Sequence, residues 1–262
     1  MVANLQSPTT PETRHRVLFL GASNLALGFH TIVEETHRVW GTPLDLIFAH
    51  GHGRSYGGFS NVLGRQLPAI LHCRLWKELA RRPQLPTTAF VTDIGTDLLY
   101  MQTPVTLSGW LDTTLERLSS FHAEICISTL PETSVNRVNP AIFYLLRSIL
   151  FPKSTLTLEQ AHERIAETNA LIIQLAEKHD AKLFQHSPDC YGIDPIHIRR
   201  GKRRVAWRKA LLTGREQQPL ADEYVRCRAR RLRPRYRRRC GVPQRVRQPL
   251  MRLNGGTAIS LY

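Results

Sequence analysis

The chain has 262 residues, 42% of them hydrophobic, enough to bury a sizeable core without help from disulfides or metals. Its formal charge of +15 is confined to one end: residues 1–198 carry 16 Lys and Arg against 18 Asp and Glu (balance −2), and residues 199–262 carry 20 against 3 (balance +17). The charge therefore describes a tail and not the surface of the body, and no apolar run approaches the roughly 20 residues needed to cross a bilayer.

The first apolar stretch, residues 17–20, is too short for a secretion signal. Five scattered cysteines (Cys73, Cys126, Cys190, Cys227 and Cys240) with no C-x-x-C pair predict reduced thiols. Both features lead to the expectation of a cytoplasmic protein.

A polar leader over residues 1–14 precedes the first strand, predicted at 16–20, which exits into Gly21-Ala22-Ser23-Asn24-Leu25 and a helix over 25–39. A serine at a strand-to-helix turn holds its hydroxyl above the sheet and its N–H at a helix N-terminus, where negative charge is favoured. Serine is equally a common helix cap. The second strand, 44–49, exits into His50-Gly51-His52-Gly53-Arg54-Ser55-Tyr56-Gly57-Gly58. A glycine-rich dinucleotide turn belongs after the first strand of its unit, and Gly21 lacks the second closely spaced glycine. His50 and His52, even with Asp93, lack a further ligand at a diagnostic spacing, so no metal site is expected.

The third strand, 88–93, exits into Asp93-Ile94-Gly95-Thr96-Asp97-Leu98-Leu99-Tyr100, and Leu107, Leu111, Leu115 and Leu118 then mark a helix. After the fourth strand, 124–129, the connection over 131–153 holds a short apolar helix at 141–150, which fits either a substrate-site wall or a packing excursion. Ala161, Ile165, Thr168, Ile172 and Leu175 mark the next helix. The fifth strand, 181–185, leads through residues 187–197 to a helix over 201–212. In that loop Asp194 and His197, three apart, can share a hydrogen bond that fixes the imidazole tautomer, although both residue types also cap helices.

Five strands joined by helices predict a mostly parallel five-stranded sheet, whose ligands bind beyond the carboxyl ends of the strands. Beyond Leu212 the pattern fails. Residues 226–239 contain nine arginines with Tyr236 among them, and Pro234, Pro243 and Pro249 interrupt the tail, so residues 213–262 are expected to be poorly ordered. Such a composition suits nucleic-acid phosphates or an anionic membrane surface, or a solubilising extension. Residues 258–262 are apolar.

Taken together, the strand exits resemble the SGNH/GDSL hydrolase family over residues 17–212. Gly21-Ala22-Ser23-Asn24 is similar to the family's Gly-Asp-Ser block, and Asp194-Pro195-Ile196-His197 to its Asp-x-x-His block. His50 to Gly58 resembles the block whose glycine donates to an oxyanion, with Gly53 the best match, and residues 93–100 resemble the Gly-x-Asn-Asp block. The resemblance implies a flavodoxin-like three-layer α/β/α sandwich over residues 15–212. It also implies hydrolysis of a small acyl ester by Ser23, His197 and Asp194, with an oxyanion held by Ser23, Gly53 and Thr96 and no cofactor. Three positions depart from the pattern. Ala22 replaces the family's aspartate, Ile94 replaces the glycine of the third block, and Thr96 stands where the family places an asparagine, bringing a hydroxyl with shorter reach.

Overall fold

The computed structural model describes residues 15–62, 64–215, 227, 233–253 and 255–262; the leader and part of the arginine-rich segment lie outside them. The chain runs β1 (His15–Leu20), α1 (Ser23–Trp40), β2 (Leu44–Ala49), β3 (Ser60–Val62), β4 (Arg65–Leu67), α2 (Leu75–Leu79), β5 (Thr87–Val91), α3 (Thr96–Leu99), α4 (Pro104–Ser120) and β6 (Ala123–Ser128). It continues through α5 (Glu132–Asn136), α6 (Pro140–Leu150), α7 (Leu158–Lys178), β7 (Lys182–Phe184), α8 (Arg203–Thr213), β8 (Tyr236–Arg239), β9 (Val242–Arg245), β10 (Met251–Arg252) and β11 (Ala258–Leu261).

The main sheet has the order β10-β11-β2-β1-β5-β6-β7. Every neighbour pair is parallel except β10 with β11. The two-residue period of β1 divides its side chains between two cores. Val17 and Phe19 face α1 and α8 with Phe48, Phe29 and Trp207, while Leu18 and Leu20 face α4 and α7 with Leu111, Leu115 and Ile172. The result is the expected three-layer α/β/α sandwich. Helix ends follow sequence rules: Thr157 and Gln160 form a capping box on α7, and Thr103 caps α4 ahead of Pro104.

The sheet has seven strands and not five. The two additions come from the basic segment, in which four-residue and two-residue strands are too short to show a period. Ala258–Leu261 lies parallel to β2, from Ala258 opposite Asp45 to Leu261 opposite Phe48. Thr257 secures the entry: its Oγ1 accepts the Leu44 N–H at 3.0 Å and lies 3.0 Å from His37 Nε2. A second, antiparallel sheet has the order β3-β4-β8-β9. Cys240 and Gly241 join β8 to β9 with φ of 48° and 80°, the doubly positive pattern that suits a two-residue hairpin turn. The described part of the segment expected to lack order thus supplies four strands, because backbone pairing with β2 and β4 replaces the apolar pattern it lacks.

Helices α1 and α8 meet at Gly28, where an added Cβ would lie 2.7 Å from Trp207 Nε1, and Trp207 is fully buried. Gly28→Ala gains about 1 kcal/mol of helix propensity but overpacks a rigid indole at a cost of roughly 1–3 kcal/mol. A net loss of stability is expected, read as a lower urea midpoint at unchanged m-value. An unchanged or higher midpoint would show that the helices can part without cost.

Candidate active site

Strand order reverses between β1 and β5, and the two strand exits there build the centre of the site. Helix α1 has no side-chain cap of its own, since Ala22 occupies the N-cap position. The carboxylate of Asp93, at the exit of β5, takes that role from across the sheet. Its Oδ2 accepts the N–H groups of Ala22 (2.9 Å), Asn24 (2.9 Å) and Leu25 (3.2 Å), and its Oδ1 accepts Asn24 Nδ2 at 2.8 Å. Burial raises the Asp93 pKa, and the bonds from Asn24, Leu25 and Ala22 act against that rise. Asp93 sits at φ 58°, a left-handed conformation that aspartate tolerates better than most residues. The Ser23 N–H is not among the groups Asp93 collects, and the Ser23 hydroxyl stands free to face the loop after β7.

That loop brings Asp194 and His197 to Ser23. Asp194 Oδ1 accepts the N–H groups of Ile196 (3.0 Å) and His197 (3.2 Å), folding the turn, while its Oδ2 lies 2.6 Å from His197 Nδ1. His197 Nε2 lies 2.9 Å from Ser23 Oγ. Asn24 locks the two segments together: its Nδ2 donates to Ile196 O (2.9 Å) and its Oδ1 accepts the Ile198 N–H (2.9 Å), the residues on either side of His197. Burial lowers the His197 pKa, but the hydrogen bond and charge of Asp194 outweigh it, so the ring titrates above 6.5. A hydroxyl bonded to an imidazole that a carboxylate orients can give up its proton as its oxygen attacks an electrophile.

The exits of β2 and β5 form the other wall. Tyr56 carries its loop over the sheet, with its hydroxyl 3.0 Å from Leu20 O and 2.7 Å from Thr92 O, and its N–H donates to Asp97 Oδ2 at 3.0 Å. Asp97 is therefore a carboxylate that holds a loop. Gly53 has φ +64°, its carbonyl accepts the Tyr100 hydroxyl at 2.8 Å, and a Cβ there would lie 2.5 Å from Val62 and 2.6 Å from that hydroxyl. Only glycine fits.

Ser23 and Thr96 line two cavities that meet above the sheet. One, of about 120 Å³, is mainly apolar, with Leu99, Leu130, Phe143 and Ile165 in its wall; Phe143, Leu146 and Leu150 place α6 on it, so the connection after β6 does form a cavity wall. The other, of about 560 Å³, is lined by Gly53 and His197, and by Arg65, Arg237 and Arg239 of the small sheet. The four site positions other than Asp194 thus reach one cavity, and Asp194 reaches it through His197. His50 lies apart, buried against Phe29 and Phe48 with its pKa held down to about 3 by burial and by Arg54. Among the described residues no group of three His, Cys, Asp or Glu could hold a metal.

No protein-family profile matches the chain, and no curated protein sequence matches it significantly. Solved structures do. The carbohydrate acetylesterase Est24 from Sinorhizobium meliloti aligns with a TM-score of 0.52 at 12% identity, over 76% of this chain and 97% of that one. The aryl esterase of M. smegmatis gives 0.50 at 13%, over 77% and 100%, and TesA gives 0.50 at 14%, over 76% and 97%. The chain shares the three-layer α/β/α fold of these structures.

Asp93 caps the helix that Ala22 cannot cap, and Thr96, the first residue of α3, lines both cavities. The sequence pattern marks Asp93 as a strand end at the start of a block and Asn24 as part of another, with no sign that the two meet. A helix whose own N-cap position is alanine is the one available sign that a carboxylate arrives from elsewhere.

Burial pushes the Asp97 pKa up to about 6 from 3.8. Because the folded-state value exceeds the unfolded one, the associated stability is complete below pH 3.8 and is lost as pH rises through 6. Relative to Asp97→Asn, the wild-type protein is expected to lose about 2–3 kcal/mol between pH 4 and pH 7, at 1.36 kcal/mol per unit. Parallel stability curves for the two proteins over that range would contradict a buried, destabilised carboxylate.

Proposed function

We propose that the chain is a serine hydrolase acting on small acyl esters, with Ser23 as nucleophile, His197 as general base and Asp194 as the group that orients it. One observation carries the reading: residues 174 positions apart meet in an unbroken series of bonds, 2.9 Å from Ser23 Oγ to His197 Nε2 and 2.6 Å from His197 Nδ1 to Asp194 Oδ2. The fold agrees with it, since two of the solved structures of the same fold named above are described as an aryl esterase and a carbohydrate acetylesterase.

Ser23 Oγ attacks the ester carbonyl carbon and its proton passes to His197 Nε2. The tetrahedral oxyanion is held by the N–H groups of Ser23 and Gly53 and the hydroxyl of Thr96. As the C–O bond breaks, His197 returns the proton to the leaving alcohol. Water then adds to the acyl-enzyme, gives a proton to His197 and releases the carboxylic acid, restoring Ser23. Asn24 acts as a positioning residue, since it holds both neighbours of His197. An apolar cavity of about 150 Å³ can hold benzene, so the 120 Å³ cavity beside Ser23 suits an acyl chain of about four carbons.

Purified protein is expected to hydrolyse p-nitrophenyl butanoate, and Ser23→Ala to abolish turnover; equal rates from the two proteins would sink the proposal. His197 must be neutral to act as base, so kcat/KM is expected to fall as pH drops through an apparent pKa above 6.5. Asp194→Asn should move that limb to lower pH and reduce kcat by about 10⁴. Thr96→Val removes the hydroxyl without changing the side chain's shape, with an expected loss on the order of 10² in kcat and little change in KM. A Thr96→Val enzyme with full kcat would remove Thr96 from the oxyanion site.

A further inference from the structure

The larger cavity is more specialised than ester hydrolysis requires. Beyond Ser23 its wall is the small antiparallel sheet, where Arg65 of β4 stands directly opposite Arg239 of β8. Arg237, two residues before Arg239 on the same strand, shares its face. Like charges directly opposite each other on a sheet destabilise the pair, and here three guanidiniums gather on one face. No Asp or Glu lines this cavity among the described residues, and none of the three arginines makes a described salt bridge. Arg237 is held by its Nε bond to Gln244 Oε1 at 2.7 Å, which aims the guanidinium without neutralising it. Burial, followed by the charges of Arg233, Arg65 and Arg239, depresses the Arg237 pKa, the mark of a cation among cations.

The geometry of the two cavities divides a substrate. The acyl chain has an apolar cavity of about 120 Å³ on one side of Ser23, and the roomier cavity, of about 560 Å³, takes the alcohol part on the other. We propose that Arg65, Arg237 and Arg239 form an anion subsite that binds a phosphate group carried on the alcohol part of the ester. This rests on Ser23 as nucleophile. Hydrolysis then releases a short carboxylic acid and a phosphate-bearing alcohol, the ester C–O bond being the one broken and the phosphate remaining intact. Guanidiniums match phosphate by paired N–H donors, and three of them offset a dianion that a neutral wall would have to desolvate without compensation.

Two substrate pairs test the subsite with the full chain: butanoyl glycerol against butanoyl glycerol 3-phosphate, and 3′-O-butanoyl adenosine against its 5′-monophosphate. A kcat/KM preference of at least tenfold for the phosphorylated member of one pair is expected, and the pair that shows it tells a glycerophosphate from a nucleotide source. Arg237→Gln/Arg239→Gln should lower that preference at least tenfold. Arg65→Gln should lower it in the same direction, and Arg237→Lys/Arg239→Lys should recover part of it. Arg245→Gln/Arg252→Gln, which removes the same charge elsewhere, should leave it in place. Titration of inorganic pyrophosphate by calorimetry gives a readout independent of turnover, with affinity expected to fall at least tenfold in the Arg237/Arg239 glutamine variant alone. Equal kcat/KM within both pairs, pyrophosphate affinity unchanged in that variant, or equal losses in the Arg245/Arg252 variant would each overturn the subsite. If the wild-type chain turned over no ester while pyrophosphate binding still depended on Arg237 and Arg239, the hydrolase reading would fail and the anion subsite would stand.

Discussion

A single half-buried carboxylate, Asp93, fixes the geometry on which the site depends. A helix N-terminus leaves backbone N–H groups without partners, and in α1 the residue at the cap is an alanine. Asp93 supplies the missing acceptor from the adjacent strand exit and collects three of those N–H groups together with the Asn24 amide. The positive end of the helix compensates a charge that burial disfavours. The same contacts determine where Ser23 points, because the residues on either side of it are held and its own N–H is left over.

Asn24 extends this control across the molecule. Its two polar atoms are divided among Asp93, Ile196 and Ile198, so the first strand exit and the loop after β7 cannot drift apart independently. The separation between Ser23 and His197 is thus set by main-chain bonds to a short side chain and not by the flexible imidazole alone. Helix α8 adds a second tie: Glu35, fully buried in α1, pairs with Arg204 and, at 2.6 Å, with Arg208. The loop bearing His197 is therefore anchored before and after.

Much of this was legible in the residues. The apolar runs at 16–20, 44–49, 124–129 and 181–185 coincide with β1, β2, β6 and β7 to within a residue or two, and that at 88–93 overlaps β5 but overshoots its end by two, because buried parallel strands read as continuous apolar segments. The proximity of Ser23, Asp194 and His197 followed from strand exits facing one end of the sheet. The cap from Asp93 and the clamp by Asn24 were not legible, since both depend on contacts between segments that carry no shared pattern. The same holds for β8 to β11. Arg237 and Arg239 read as part of a charge run, and only their pairing with β4 reveals that they face the cavity beside Ser23.

The parallel pairing of β11 with β2 has a consequence for how the protein is made. Residues 258–261 meet residues 45–48 across more than 200 positions of chain, so this ladder is among the most non-local contacts in the fold. While the chain is being synthesised, β1, β5, β6 and β7 can assemble around β2 before its outer edge has a partner. For that interval β2, rich in Leu, Ile and Phe, presents unpaired backbone groups to any other strand nearby. The nascent protein is exposed to misassociation there, at the strand whose exit carries Gly53.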